Sequence, residues 1–222
     1  MLDYGRPFAL MMFVLQVWAC SSNDSGKQLG NVEKEVTAKA EKKVNAEVPD
    51  IISIYLYAGF PVQKAKTLER NLKAFFPKVV LERECIPLPP KEYHKQCNRY
   101  RAEGLSNDLL KYRKGDVPLG LTDKIIYHPN KKSPTWGVMG LSPVGGYRCV
   151  ISSRMAKNGR EQTDENFCKL ALHELGHAFG LPHCADQHCF MVDAGGTTKF
   201  PQTHGFCSSC KVKLNAKGWR IK

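Results

Sequence analysis

His173 and His177, four residues apart with Glu174 directly after the first, form the stretch of this 222-residue chain whose residue types and spacing prescribe a chemistry most directly. On a helix the two histidines are one turn apart, so both imidazoles project from one face and can bind one zinc ion. Glu174 is the base candidate: it sits beside the first ligand without completing the set, and it can take a proton from a water that attacks a carbonyl. Gly180 ends the helix by turning the chain back, and Pro182 cannot continue it, which allows His183 to approach the same metal from the other side. Three neutral nitrogens leave the fourth position of a tetrahedral ion open, as a catalytic rather than a structural zinc requires. The plain alternative is a helix whose histidines fall at this spacing by chance. Adding the glycine and the third histidine makes that coincidence remote.

Such a helix needs a core face and a start. Leu172, Leu175 and Phe179 fall on the side away from the histidines, and Thr163 with Asp164 supplies a capping residue and an acidic first turn.

HExxHxxGxxH followed by Met191 resembles the metzincin zinc peptidases, in which that methionine lies under the zinc. Cys184 directly after the third histidine, then Cys189, Met191 and the pair Cys207-Ser208-Ser209-Cys210, looks like the archaemetzincins. The interval from Met191 to Cys207 is slightly shorter than that family's pattern. The resemblance is sharp over residues 171–210 and loose upstream. It implies a second, structural zinc held by Cys184, Cys189, Cys207 and Cys210, and hence two zinc ions in all. Taken by themselves, the same cysteines in an exported chain are also compatible with two disulfides, although two close pairs separated by a loop match tetrahedral zinc better. Cys85, Cys97, Cys149 and Cys168 are compatible with single buried thiols or with pairing.

At the start of the chain, Arg6 precedes an apolar run from Pro7 to Trp18 that is short for a membrane span. Val17-Trp18-Ala19-Cys20 resembles a bacterial lipoprotein box, with Trp18 an unusual occupant. The expectation is a signal peptide over 1–19, a lipid-anchored Cys20, and a charged tether over 20–48 that lacks an apolar stripe. An ordinary signal peptide or an uncleaved anchor are the competing readings. The charges of the first 48 residues cancel, so the formal net charge of +12 belongs to residues 49–222. Its lysines are dispersed and no nucleic-acid motif appears, so nucleic acid is not an expected partner. The expectation is an exported, membrane-anchored monomer with one metallopeptidase domain over 49–222.

The patterning of that domain predicts a strand at Ile51–Tyr57, a helix from Val62 to Phe76, and a strand at Val79–Glu84. Further along it predicts a helix near Arg99–Arg113 and strands at Lys124–Tyr127, Trp136–Leu141 and Tyr147–Ser152 before the zinc helix. This is an α/β (α+β) architecture: a mixed twisted sheet, an active-site helix and a small C-terminal subdomain, in line with what the metzincin resemblance implies. In that family the edge strand lies along the cleft and pairs with extended substrate, which here points to Trp136–Leu141; a plain outer strand is the equal alternative.

The function expected is a zinc-dependent peptidase acting on a peptide or protein, with Glu174 as general base. The alternative is a catalytically silent, zinc-stabilised lipoprotein that binds peptides or partners. Asp193, His204 and Tyr147 are weaker candidates for a supporting role.

Overall fold

A computed structural model describes residues 49–113, 116–193 and 199–222, so the expected signal peptide, Cys20 and the expected tether lie outside the described residues. The core of the domain is a five-stranded sheet in the order β2–β1–β5–β9–β8. Strands β1 (Ile52–Tyr57), β2 (Val79–Ile86), β5 (Val117–Thr122) and β9 (Cys149–Ser152) are parallel to their neighbours, and β8 (Gly140–Leu141) runs antiparallel along the β9 edge.

Period-two alternation decides which face each side chain takes. Ile52, Ile54 and Leu56 join Val117, Leu119 and Leu121, and with Cys149 and Ile151 they build the larger core against α1 (Val62–Leu72) and the long helix α3 (Asp164–Ala178). Tyr55, Tyr57 and Val150 point the other way, onto Ala102, Leu105 and Leu109 of a short helical stretch that opens with α2 (Ala102–Asp108). A second sheet of two- and three-residue strands, in the order β3–β4–β6–β7, combines β3 (Tyr93–His94), β4 (Arg99–Arg101), β6 (Ile126–Tyr127) and β7 (Gly137–Val138). Helix α4 (Ser208–Asn215) starts directly after Cys207 and carries Cys210, and Trp219 folds back onto Phe76, Phe179 and Phe206.

Three expectations are corrected, and one strand was not among those expected. Strand β5, central in the sheet, carries Pro118 and Gly120, residues that normally read as turns; Gly120 fits a crowded position, where a Cβ would meet Leu109 Cδ1 at 3.0 Å and Tyr57 Cε2 at 3.2 Å. The stretch Arg99–Arg113 is not one helix: its first three residues pair with β3 and β6, and its end tightens into a 3₁₀ turn at Leu109–Lys111. Trp136–Leu141 is not one strand but two short ones that belong to different sheets. Finally, β9 begins at Cys149 rather than at Tyr147, whose φ of 47° takes it out of extended backbone.

Candidate metal centre

Helix α3 carries the first two histidines, and both of its ends are built as the sequence prescribes. Thr163 Oγ1 accepts from the Asn166 backbone N–H at 3.2 Å, and Asp164 and Glu165 face the positive end of the helix dipole. At the other end Gly180, with φ 94°, donates its N–H to His177 O at 2.8 Å, and Leu181 donates to Gly176 O at 2.9 Å. This pair of bonds is a Schellman closure, and it needs the left-handed glycine. Leu172, Leu175 and Phe179 are buried in the sheet-facing core, each contributing on the order of 1.5–3 kcal/mol. The histidine face is thereby left toward the cleft.

There the ligand atoms of His173, His177 and His183 all lie within 4.8 Å of one another. The nearest pair, Nε2 of His173 and Nε2 of His177, are 3.1 Å apart. Second partners orient the two helical rings: His173 Nδ1 lies 2.6 Å from Phe190 O, and His177 Nδ1 lies 2.7 Å from Leu181 O. A carbonyl only accepts, so each Nδ1 carries the hydrogen and each Nε2 keeps its lone pair free. Burial lowers the His173 imidazole to about 4, helped by His177 beside it, and burial also lowers His177. Neutral rings with converging lone pairs are what a zinc ion requires, so the residues fit the group. His183, more exposed, enters after the Gly180 turn, with Asp193 Oδ2 3.9 Å from its Nδ1.

Glu174 is buried beside these ligands, and burial pushes its carboxyl up to about 8. Its other wall is β8. A Cβ on Gly140 would fall 2.5 Å from Glu174 Oε1, so only glycine lets the strand approach this closely. Underneath the helix, Met191 is fully buried, and a Cβ on Gly176 would fall 2.4 Å from its Sδ.

The histidines and Glu174 open into a cleft of about 540 Å³. One wall is the whole stretch Trp136–Leu141, and Met155, Leu170 and Phe200 contribute further apolar surface. A groove of this kind, apolar with a few converging polar groups, suits an extended peptide.

A second cluster begins one residue beyond His183. The sulfurs of Cys184, Cys189, Cys207 and Cys210 lie within 4.8 Å of one another, with Cys184 Sγ and Cys207 Sγ 3.7 Å apart. The backbone N–H groups of Met191 and Cys207 donate to Cys189 Sγ at 3.4 and 3.3 Å. Four converging sulfurs, one of them receiving two backbone donors, fit tetrahedral thiolate coordination; all four are free thiols at distances too long for disulfide bonds. Cys85, Cys97, Cys149 and Cys168 are likewise free.

Of the weaker candidates, Asp193 lines the cleft, whereas His204 stacks on His188 at a centroid distance of 5.5 Å and Tyr147 packs edge-on against Phe179. Sequence reasoning missed Gly140. Its only signal is a glycine in an otherwise apolar stretch, which marks a close backbone approach without saying to what.

Residues 105–216 match the sequence profile of peptidase family M54. The archaemetzincin of Methanopyrus kandleri is 31% identical over 150 residues, spanning 66% of this chain and 83% of the relative. That of Aeropyrum pernix is 29% identical over 174 residues, spanning 74% of this chain and 93% of the relative. Among solved structures, the M. kandleri archaemetzincin superposes with a TM-score of 0.65 at 24% identity, covering 78% of this chain and 98% of that one. The Archaeoglobus fulgidus archaemetzincin superposes with a TM-score of 0.61 at 26% identity, covering 73% and 98%.

Proposed function

The chain belongs to peptidase family M54, the archaemetzincins, and is a zinc metallopeptidase acting on peptides or proteins; on that footing we propose that His173, His177 and His183 hold the catalytic zinc and that Glu174 is the general base. The observation that carries this reading is the convergence of three imidazoles and one buried carboxyl on an open apolar cleft. Zinc bound there supplies a Lewis acid that polarises the scissile carbonyl and acidifies water.

The protein's own residues do the rest. The Nδ1 bonds to Phe190 and Leu181 hold the helical imidazoles in the tautomer that presents Nε2. Glu174, pinned between helix and Gly140, takes the proton of the attacking water and returns it to the leaving amine. Its raised affinity for protons, set by burial, suits a group that must both accept and donate near neutral pH. Strand β8 is the outer strand of its sheet, and an extended substrate adds alongside it. Cys184, Cys189, Cys207 and Cys210 hold a second, structural zinc that ties the His183 turn to α4.

The proposed cellular setting is an exported lipoprotein anchored through Cys20, with residues 20–48 as its tether.

The experiment is a peptide-library digestion by the native protein and by Glu174→Gln. Cleavage by the native protein alone supports the reading. Equal cleavage by both removes Glu174 from the mechanism, and capture of peptides without cleavage by either favours the silent binding protein instead.

A further inference from the structure

Helix α4 and the segment after it carry charge of one sign. Residues 199–222 contain Lys199, Lys211, Lys213, Lys217, Arg220 and Lys222 and no aspartate or glutamate. Cys210, Leu214 and Trp219 are buried, so the helix turns its other side outward. Lys213 and Arg220 are exposed there, and Val212, flanked by two lysines, is 70% exposed, more than any other large hydrophobic side chain among the described residues. A bare valine framed by lysines is poor design for a face that meets only water. It suits a surface with an anionic skin and an apolar interior.

A second, independent observation concerns where the described chain enters the domain. Ile52 N–H donates to Lys78 O at 2.9 Å, and Lys78 is ion-paired with Asp50. Three residues before Lys78, Phe75 O accepts from Arg220 N–H at 2.8 Å. Residues 49–50, and with them the attachment of the preceding 48 residues, therefore sit at the same edge as the basic segment.

We propose that the face carrying the exposed Val212, Lys213 and Arg220, with Lys211 and Lys217 half-buried at its margin against the Lys222 carbonyl and the Tyr147 ring, docks on a bilayer of anionic phospholipid. Each basic residue near such a surface is worth about 1 kcal/mol, about fivefold in partitioning. The attraction is short-ranged and weakens with salt. The proposal is independent of the peptidase reading, and the exposed basic face carries it by itself, with or without a lipid on Cys20.

The test uses residues 49–222. Both core clusters lie within it, a crystallised archaemetzincin is matched over 98% of its length by 78% of this chain, and a cooperative thermal unfolding transition of the fragment, measured first, establishes that it is folded. The readout is co-sedimentation with vesicles of phosphatidylcholine, alone or with phosphatidylglycerol. The expected result is binding that needs phosphatidylglycerol, falls steeply between 0.1 and 0.5 M salt, and drops at least ~30-fold in Lys213→Glu/Arg220→Glu. Lys66→Glu/Arg70→Glu, on the exposed side of α1, changes net charge equally and is the control; it should lose far less. Thermal unfolding of both variants checks that they remain folded. Equal losses in the two double variants would reduce the effect to net charge and overturn the proposal. Absence of binding to anionic vesicles would also overturn it, and a soluble polyglutamate peptide bound in a Lys213- and Arg220-dependent way would reassign the face to acidic protein segments.

Discussion

Gly140 and Glu174 are in contact across the cleft, so closely that a Cβ on Gly140 would fall 2.5 Å from the Glu174 carboxylate oxygen. The strand that lines the substrate groove thus also fixes the base. Gly140→Ala is expected to displace the carboxyl by a fraction of an ångström to an ångström and lower kcat by up to ~100-fold. Zinc content should stay unchanged, because the atoms nearest the new Cβ are those of Glu174, which is not among the three histidine ligands. Steady-state kinetics with metal analysis checks this; a variant with native kcat would show that the contact does not position Glu174.

Glu174→Gln keeps the shape of the side chain and removes its basicity. Hydrolysis is expected to fall by ~100-fold or more, as for loss of a general base, with zinc retained. Parallel measurement of turnover and bound metal separates this from loss of the ion. A variant that loses zinc would place Glu174 among the ligands.

Gly176 and Met191 form a second glycine contact, with opposite consequences for stability. At an exposed helix interior, glycine to alanine stabilises by up to ~1 kcal/mol. Here the new Cβ would fall 2.4 Å from Met191 Sδ, so Gly176→Ala is expected to destabilise by ~1–3 kcal/mol through overpacking. Met191→Ala empties a fully buried site and should cost ~2–5 kcal/mol. Denaturant titration gives both values. The double variant should recover part of the loss, since alanine at 176 then has room.

The thiols outside the four-sulfur cluster differ in reactivity. Cys85 is exposed, whereas burial raises Cys149 well above an ordinary thiol and pushes Cys168 up to about 11, partly offset by Lys169. At pH 8, Cys168 carries about 100-fold less thiolate than an ordinary thiol, so iodoacetamide should label Cys85 first. Because the pKa is raised, the Cys168 rate should climb roughly tenfold per pH unit up to pH ~11. Peptide mapping by mass spectrometry reads each site.

The convergence of the three histidines was legible because the residues concerned are close in sequence. His173, Glu174, His177, Gly180 and His183 fall within eleven residues, and helical periodicity with a glycine stop converts that spacing directly into geometry. The Thr163 cap and the buried Leu172 and Leu175 were readable for the same reason. Strand β5 was not, because Pro118 and Gly120 interrupt a local strand pattern, and the close approach of Leu109 and Tyr57 to Gly120 is non-local. The small sheet was hidden by strands of two or three residues, too short to show a period. Gly140 escaped for a third reason: its partner lies 34 residues away in the chain, and a glycine records that something is near without naming it.

Two separate ligand sets are proposed to hold zinc, one for catalysis and one for structure. Metal content by mass spectrometry on residues 21–222 tests this most directly, comparing the native protein with His173→Ala/His177→Ala and Cys184→Ser/Cys207→Ser. About two zinc ions per chain are expected in the native protein and about one in each variant. A single native zinc lost with the histidines would leave the cysteines without a metal, and zinc content that survives loss of the histidines would contradict the catalytic site itself.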